Sequence, residues 1–113
     1  MQAEGDKPFA LPVFCIGEFI RVVTHHRLFD PPTSLSDAMQ FISAILNSPQ
    51  ARLLLPGELY WEAFQTVAEA GGVSGNLVFD AQIAALCREA GVDEILTEDR
   101  DFNRFSGLHV RLL

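Results

Sequence analysis

Residues Gly75 to Phe102 read GNLVFDAQIAALCREAGVDEILTEDRDF. The stretch predicts a loop, a helix, a tight turn, a strand and an acidic loop in succession. Asn76 is placed to cap the helix, because Asn accepts a bond from an orphan N–H of the first turn. Leu77 to Ala90 keeps helical periodicity, and Gly91 is a natural stop. Glu94 to Thr97 is a short apolar run of strand length. Glu98-Asp99-Arg100-Asp101 then sets three carboxylates in four residues where that strand ends. In open α/β sheets, ligands sit beyond the carboxyl ends of strands. Asp80 is the odd residue of the helix. Its neighbours at i−3, i+3, i+4 and i+7 are Leu77, Ile83, Ala84 and Cys87, so an acid stands in an apolar stripe. Such a carboxylate needs a partner, a proton or a metal. A backbone N–H or an Arg near the helix N-terminus would satisfy it as well as an ion would.

Outward from this stretch, apolar runs alternate with helical patterns. Phe9–Phe14 is a first strand, weakened by Pro12, and Cys15–His25 is a helix with Ile16, Phe19, Ile20 and Val23 on one side. Glu18 lies on a neighbouring face, with Arg21 a turn further on. His25 to Pro32 is a loop in which His25 and His26 read as solvated. Ser34 caps Leu35–Leu46, with Asp37 three residues on. Leu35, Ala38, Met39, Ile42, Ile45 and Leu46 form its inward face. Ala51–Leu55 is a second strand and Glu58–Ala70 a helix with Leu59, Phe64, Val67 and Ala68 inward. Leu108–Leu113 is a last strand. Tyr60 and Trp61 read as packing residues, and the Phe residues as core. The βαβα order predicts an α/β fold with a mainly parallel sheet covered by helices.

At 113 residues the chain is expected to be one domain, with the polar Met1–Pro8 frayed. Apolar residues make up 49%, nine of them Phe, which excludes a disordered chain. Its N-terminus has no basic and apolar leader pattern, and no apolar run approaches the ~20 residues of a membrane helix, so a cytoplasmic protein is expected. Cys15 and Cys87 lack metal-type spacing and read as reduced packing residues. A net charge of −7 argues against sequence-independent grip on a phosphate backbone. It leaves room for a nuclease, because acids that bind cations invert their local charge. Acids brought together repel unless cations lie between them, and Mg²⁺ and Mn²⁺ prefer oxygen ligands. Neither Ser34 nor Ser106 has a nucleophile's neighbours.

Three segments together resemble PIN domains of the VapC type. LPVFCIGEFIRVVTHHRLF is similar to the family's strand and helix with the second acid, placing Glu18 there. GNLVFDAQIAAL resembles the third-acid helix, with Asp80 in place. ILTEDRDFNRF resembles the terminal acidic loop, with Asp99 as fourth acid and Asp101 two residues on. The resemblance runs from about Phe9 to the C-terminus. It implies a three-layer α/β/α fold and a Mg²⁺- or Mn²⁺-dependent endoribonuclease, the toxin of a toxin–antitoxin pair. Glu18, Asp80 and Asp99 would be catalytic and metal-binding, and Asp101 a further metal ligand. Arg21, Arg100 and Arg104 would face RNA, although Arg100 and Arg104 would equally pair with the acids beside them. Implied partners are RNA, a cognate antitoxin and a second copy of the chain. The family's opening strand, whose D-x-N segment supplies the first metal-binding Asp, has no counterpart in this sequence. Asp6 stands just ahead of Phe9–Phe14, which corresponds to the family's second strand, and is no substitute. The expectation is therefore a PIN-like domain truncated at its N-terminus and impaired in catalysis. It would form dimers or higher oligomers through the first helix and the edge of Phe9–Phe14. The alternative is an inactive remnant serving as a binding or dimerisation module.

Overall fold

The computed structural model describes residues 8–28, 30–92, 94–97, 105 and 109–112. Four strands and four helices are found among them: β1 (Phe9–Pro12), α1 (Val13–Val23), α2 (Leu35–Leu46), β2 (Ala51–Leu54), α3 (Tyr60–Gly71), α4 (Leu77–Ala90), β3 (Glu94–Thr97) and β4 (His109–Leu112). They fall into two compact units, Met1–Leu54 and Leu55–Leu113. The class is α/β, and both strand pairs are parallel.

In the first unit β1 runs beside β2, with Phe9 opposite Ala51 and Pro12 opposite Leu54. The strand expected to reach Phe14 ends at Pro12, and Val13 and Phe14 open the helix instead. Proline fixes φ near the value found here, −63°, and its ring leaves no N–H to continue a ladder. At ψ 133° Pro12 is still extended, so one residue closes the strand and precedes the first turn of α1. Ser34 caps α2 as expected: its Oγ accepts from the Asp37 N–H at 3.0 Å. The inward face of α2 is narrower than its sequence pattern. Ala38 and Ile42 are buried, whereas Leu35 and Met39 are exposed. Phe41 is also exposed, and its ring stacks on Phe19 of α1 at 5.5 Å between centroids. Phe9 and Phe41 are thus surface residues, not core.

The second unit is organised on α4. Ala81, Ile83, Ala84, Ala85, Leu86 and Cys87 are all buried, so this helix is covered nearly all round. Its alanines let the neighbouring helix α3 approach, which offers the equally compact Ala63 and Val67. Gly91 ends α4 at φ 74°, where a Cβ would be strained. The Val92 N–H then reaches back to the Cys87 carbonyl at 2.8 Å, closing the helix as a Schellman turn. The start of α4 departs from expectation. Asn76 adopts φ −63°, ψ −21° and makes no side-chain cap bond. The first N–H groups are satisfied by a turn instead: Leu77 donates to the Ser74 carbonyl and Val78 to that of Gly75. Strands β3 and β4 pair in parallel, Glu94 opposite His109 and Thr97 opposite Leu112.

Helix α3 starts at Tyr60, two residues later than its pattern suggests, and Leu59 points to solvent, not inward. The cause lies 30 residues away. Glu89, in the last turn of α4, accepts from the Gly57 N–H at 2.7 Å and the Leu59 N–H at 3.0 Å. One remote carboxylate thereby holds the N–H of the N-cap residue Leu59 and that of Gly57 two residues before it, at a helix start for which the local sequence offers no Ser, Thr, Asp or Asn.

Candidate carboxylate site

Asp80 sits in the first turn of α4 and is half-buried. The residues at i+3, i+4 and i+7, Ile83, Ala84 and Cys87, are 2%, 3% and 4% exposed. The acid therefore does stand on the packed face of its helix, as its sequence neighbours indicate. Its position near the N-terminus, where the helix dipole is positive, favours the ionised form. An ionised carboxylate at the rim of an apolar face is a hard oxygen donor, the type that divalent Mg²⁺ and Mn²⁺ take.

Glu18 sits in the middle of α1, in the first unit, with its side chain 41% exposed. Its Oε1 accepts from Nε of Arg21 at 3.0 Å and also from Nη2 of the same guanidinium. Hydrogen bonding and charge from Glu18 raise the Arg21 pKa further above its ordinary value. Arg21 and Glu18 are one helical turn apart, so α1 itself brings them together. The pair is solvent-facing on both sides, and such pairs contribute little to stability and exchange partners readily. Arg21, read from sequence as an RNA contact, thus has a nearer occupation.

Asp99, Asp101, Arg100 and Arg104 lie outside the described residues. Among the described residues, no three His, Cys, Asp or Glu side chains cluster closely enough to hold a metal ion. His25 is not merely solvated. It is half-buried, and its Nδ1 accepts from the Arg27 N–H at 3.1 Å, which places its ring proton on Nε2 and makes it part of the turn after α1. The His26 ring stacks on it at 5.3 Å. Glu89 escaped the sequence reading altogether. The signal was weak: an uncapped helix start at one place and an acid at a helix end 30 residues on.

Among the described residues, no helix is long and apolar enough to cross a membrane. The family model of the PIN domain matches residues 2–108. Ribonuclease VapC43 of Mycobacterium tuberculosis is 42% identical over 109 residues, which are 96% of this chain and 74% of that protein. A VapC ribonuclease of Mycobacterium bovis matches to the same extent. Ribonuclease VapC48 of Mycobacterium tuberculosis is 34% identical over 93 residues, 82% of this chain and 64% of its own length. Parallel α/β units, an acid on the packed face of α4 and identity along nearly the whole sequence all agree: the chain belongs to the PIN-domain family, among its VapC-type members.

Proposed function

We propose that the chain is a metal-dependent endoribonuclease domain that cleaves RNA phosphodiester bonds, the toxin of a toxin–antitoxin pair. The single observation that carries this reading is Asp80, a half-buried acid on the packed face of α4, in a chain 42% identical to a ribonuclease. Asp80, Glu18 and Asp99 would hold Mg²⁺ or Mn²⁺, with Asp101 beside them. The ion, when bound, supplies a polarised water and charge stabilisation at phosphorus. The chain's own part is to hold carboxylates in place. Asp80 lies in the first turn of α4, where the helix dipole favours a negative charge. Glu18 is freed as Arg21 turns towards a phosphate, the bidentate contact that suits a guanidinium. Arg100 and Arg104 would add to the RNA contact. RNA, an antitoxin and a second copy of this chain are the partners that this reading implies.

Catalysis of this kind depends on carboxylates held in one geometry, since small misplacements cost orders of magnitude. Turnover is therefore expected to fall steeply when any one of Glu18, Asp80 and Asp99 is replaced. The test pairs calorimetry with cleavage. Mn²⁺ should bind the chain weakly, and Asp80→Asn should abolish both the binding heat and any Mn²⁺-dependent cleavage of single-stranded RNA. Equal Mn²⁺ binding by both proteins would sink the assignment of Asp80. Cation binding without cleavage would favour the second reading, a PIN-like module that binds and no longer cuts. The observation on its side is the Glu18 carboxylate already engaged by Arg21.

A further inference from the structure

The turn that follows α1 holds a pair of rings that the carboxylate site does not use. Thr24 ends α1 still in the αR region, at φ −92° and ψ −3°. His25 then opens a turn in which the Leu28 N–H donates to the His25 carbonyl at 3.0 Å. His26 and Arg27 are its two central residues, and both are exposed. The Arg27 N–H also donates to His25 Nδ1 at 3.1 Å, so a half-buried ring holds the tip of the turn. The Thr33 N–H donates to the Val23 carbonyl at 2.8 Å and ties the returning chain to the helix end. The His26 ring lies on that of His25, with centroids 5.3 Å apart and planes 16° apart, an offset stack. One flat ring on an exposed residue is thus backed by a second ring that has its own anchor.

Charge narrows what this ring can take. The net −7 of the chain is unevenly spread. From Leu55 onward ten Asp and Glu outnumber four Arg, whereas Met1–Leu54 has five acids and four Lys and Arg. The described charges of the first unit are Arg21, Arg27 and Arg52 against Glu18, Asp30 and Asp37, a balanced set. Glu18 is engaged by Arg21. Arg27 makes no ion pair among the described residues, not even with Asp30 three positions on. Of the residues next to His26 in the turn, Leu28 alone is apolar, so the surroundings suit a polar ligand. A nucleotide finds both parts it needs there: a supported aromatic face for its base and a guanidinium for its phosphate. His25 follows Glu18 by seven residues, about 10 Å along α1, so the rings lie within a nucleotide or two of a phosphate held over that carboxylate. We propose that His26, stacked on His25, is a platform for one unpaired base of the RNA substrate, with Arg27 on the adjoining phosphate. The proposal rests on the reading that the chain acts on RNA, and it names single-stranded RNA as the substrate class, because bases inside a helix have no free face.

The chain has three His residues, His25, His26 and His109, so proton NMR reads three imidazole Cε1–H signals, with His109 on β4 as the reference. The full chain is titrated in EDTA, where metal-dependent cleavage is silent, with penta-adenylate and with an abasic oligomer of the same phosphate number. Penta-adenylate should move the His26 signal upfield through the ring current of the stacked base and leave His109 in place. His26→Ala should weaken penta-adenylate binding about tenfold and leave binding of the abasic oligomer as in wild type. His26→Phe should restore the affinity, since stacking needs a flat face and no proton. Arg27→Gln should weaken both oligomers alike and reduce the slope of log affinity against log salt by about 0.7. Circular dichroism confirms that each variant is folded. Equal affinity for the two oligomers, an unmoved His26 signal, wild-type binding by His26→Ala, or His26→Phe as weak as His26→Ala would each overturn the platform. The last would assign the contact to a hydrogen bond of the imidazole. Mn²⁺-dependent cleavage tests the underlying reading separately. Cleavage that Asp80→Asn abolishes, without the His26 signature, would keep the nuclease and discard the platform. The His26 signature without any cleavage would keep the platform and discard the nuclease.

Discussion

Replacing Glu89 by Ala removes two hydrogen bonds that join elements 30 residues apart. The Gly57 N–H lies 2.7 Å and the Leu59 N–H 3.0 Å from its carboxylate oxygens. Both bonds go to a carboxylate, which strengthens them, but the site is open to water, which weakens them. About 1 kcal/mol for each is a fair value. The sum is about 2 kcal/mol. Glu89→Gln keeps one acceptor oxygen and gives up the favourable charge at the N-terminus of α3, so about 1 kcal/mol is expected. Urea unfolding followed by Trp61 emission is the assay, because Trp61 lies in the first turn of the helix that Glu89 caps. With a slope of about 2 kcal/mol/M, Glu89→Ala should lower the midpoint by about 1 M and Glu89→Gln by about half that. Glu69→Ala, on the exposed side of α3, serves as the control and should move it by less than about 0.25 M. A Glu89→Ala midpoint no lower than that of the control would refute the capping argument. So would a Glu89→Gln variant as unstable as Glu89→Ala.

Gly71→Ala should destabilise by about 1–3 kcal/mol, because an added Cβ would come within 2.9 Å of Cε1 in the buried Phe105 ring; a thermal midpoint equal to wild type would contradict this packing. Ser34→Ala should cost about 1 kcal/mol, read as a lower melting temperature, while Ser34→Asp should hold wild-type stability. Burial raises the pKa of Tyr60, the larger influence, and a hydrogen bond from Gln82 partly opposes it. Tyr60 is the sole tyrosine, so absorbance at 295 nm in alkali titrates it alone, and its midpoint should lie above the usual ~10. The folded state then holds the proton more tightly than the unfolded one. Its contribution is present in full below the unfolded pKa and is lost as pH rises through the folded pKa. Tyr60→Phe should flatten that alkaline loss; a midpoint at or below the ordinary value would reverse the sign.

Most of the architecture was legible because it is local. Periodicity sets the bounds of α2 and α4, Ser34 sets a cap, and Gly91 sets a stop, each through bonds spanning a few residues. The parallel pairing of β1 with β2 follows from the helices between them, whereas that of β3 with β4 does not, because the sequence pattern places an acidic loop and no helix after β3. Asp80 was legible as an acid among apolar neighbours, since position on a helix face depends only on spacing. What spacing does not encode is which part of an apolar face finds a partner. Leu35 and Met39 share a stripe with Ala38 and Ile42, yet only the latter two are covered. The local rule also failed at Asn76, where the turn through Gly75 supplied carbonyls before any side chain was needed. At α3 no local rule applied. Its start is decided by Glu89, brought there because the small side chains of α3 and α4 let the two helices pack closely. The same long-range bonds leave Leu59 and Trp61 facing water. The sequence by itself determined the elements, their order and the acid on α4. Tertiary structure alone decided where α3 begins and which apolar residues remain at the surface, because both depend on groups that only folding brings within hydrogen-bonding and packing distance.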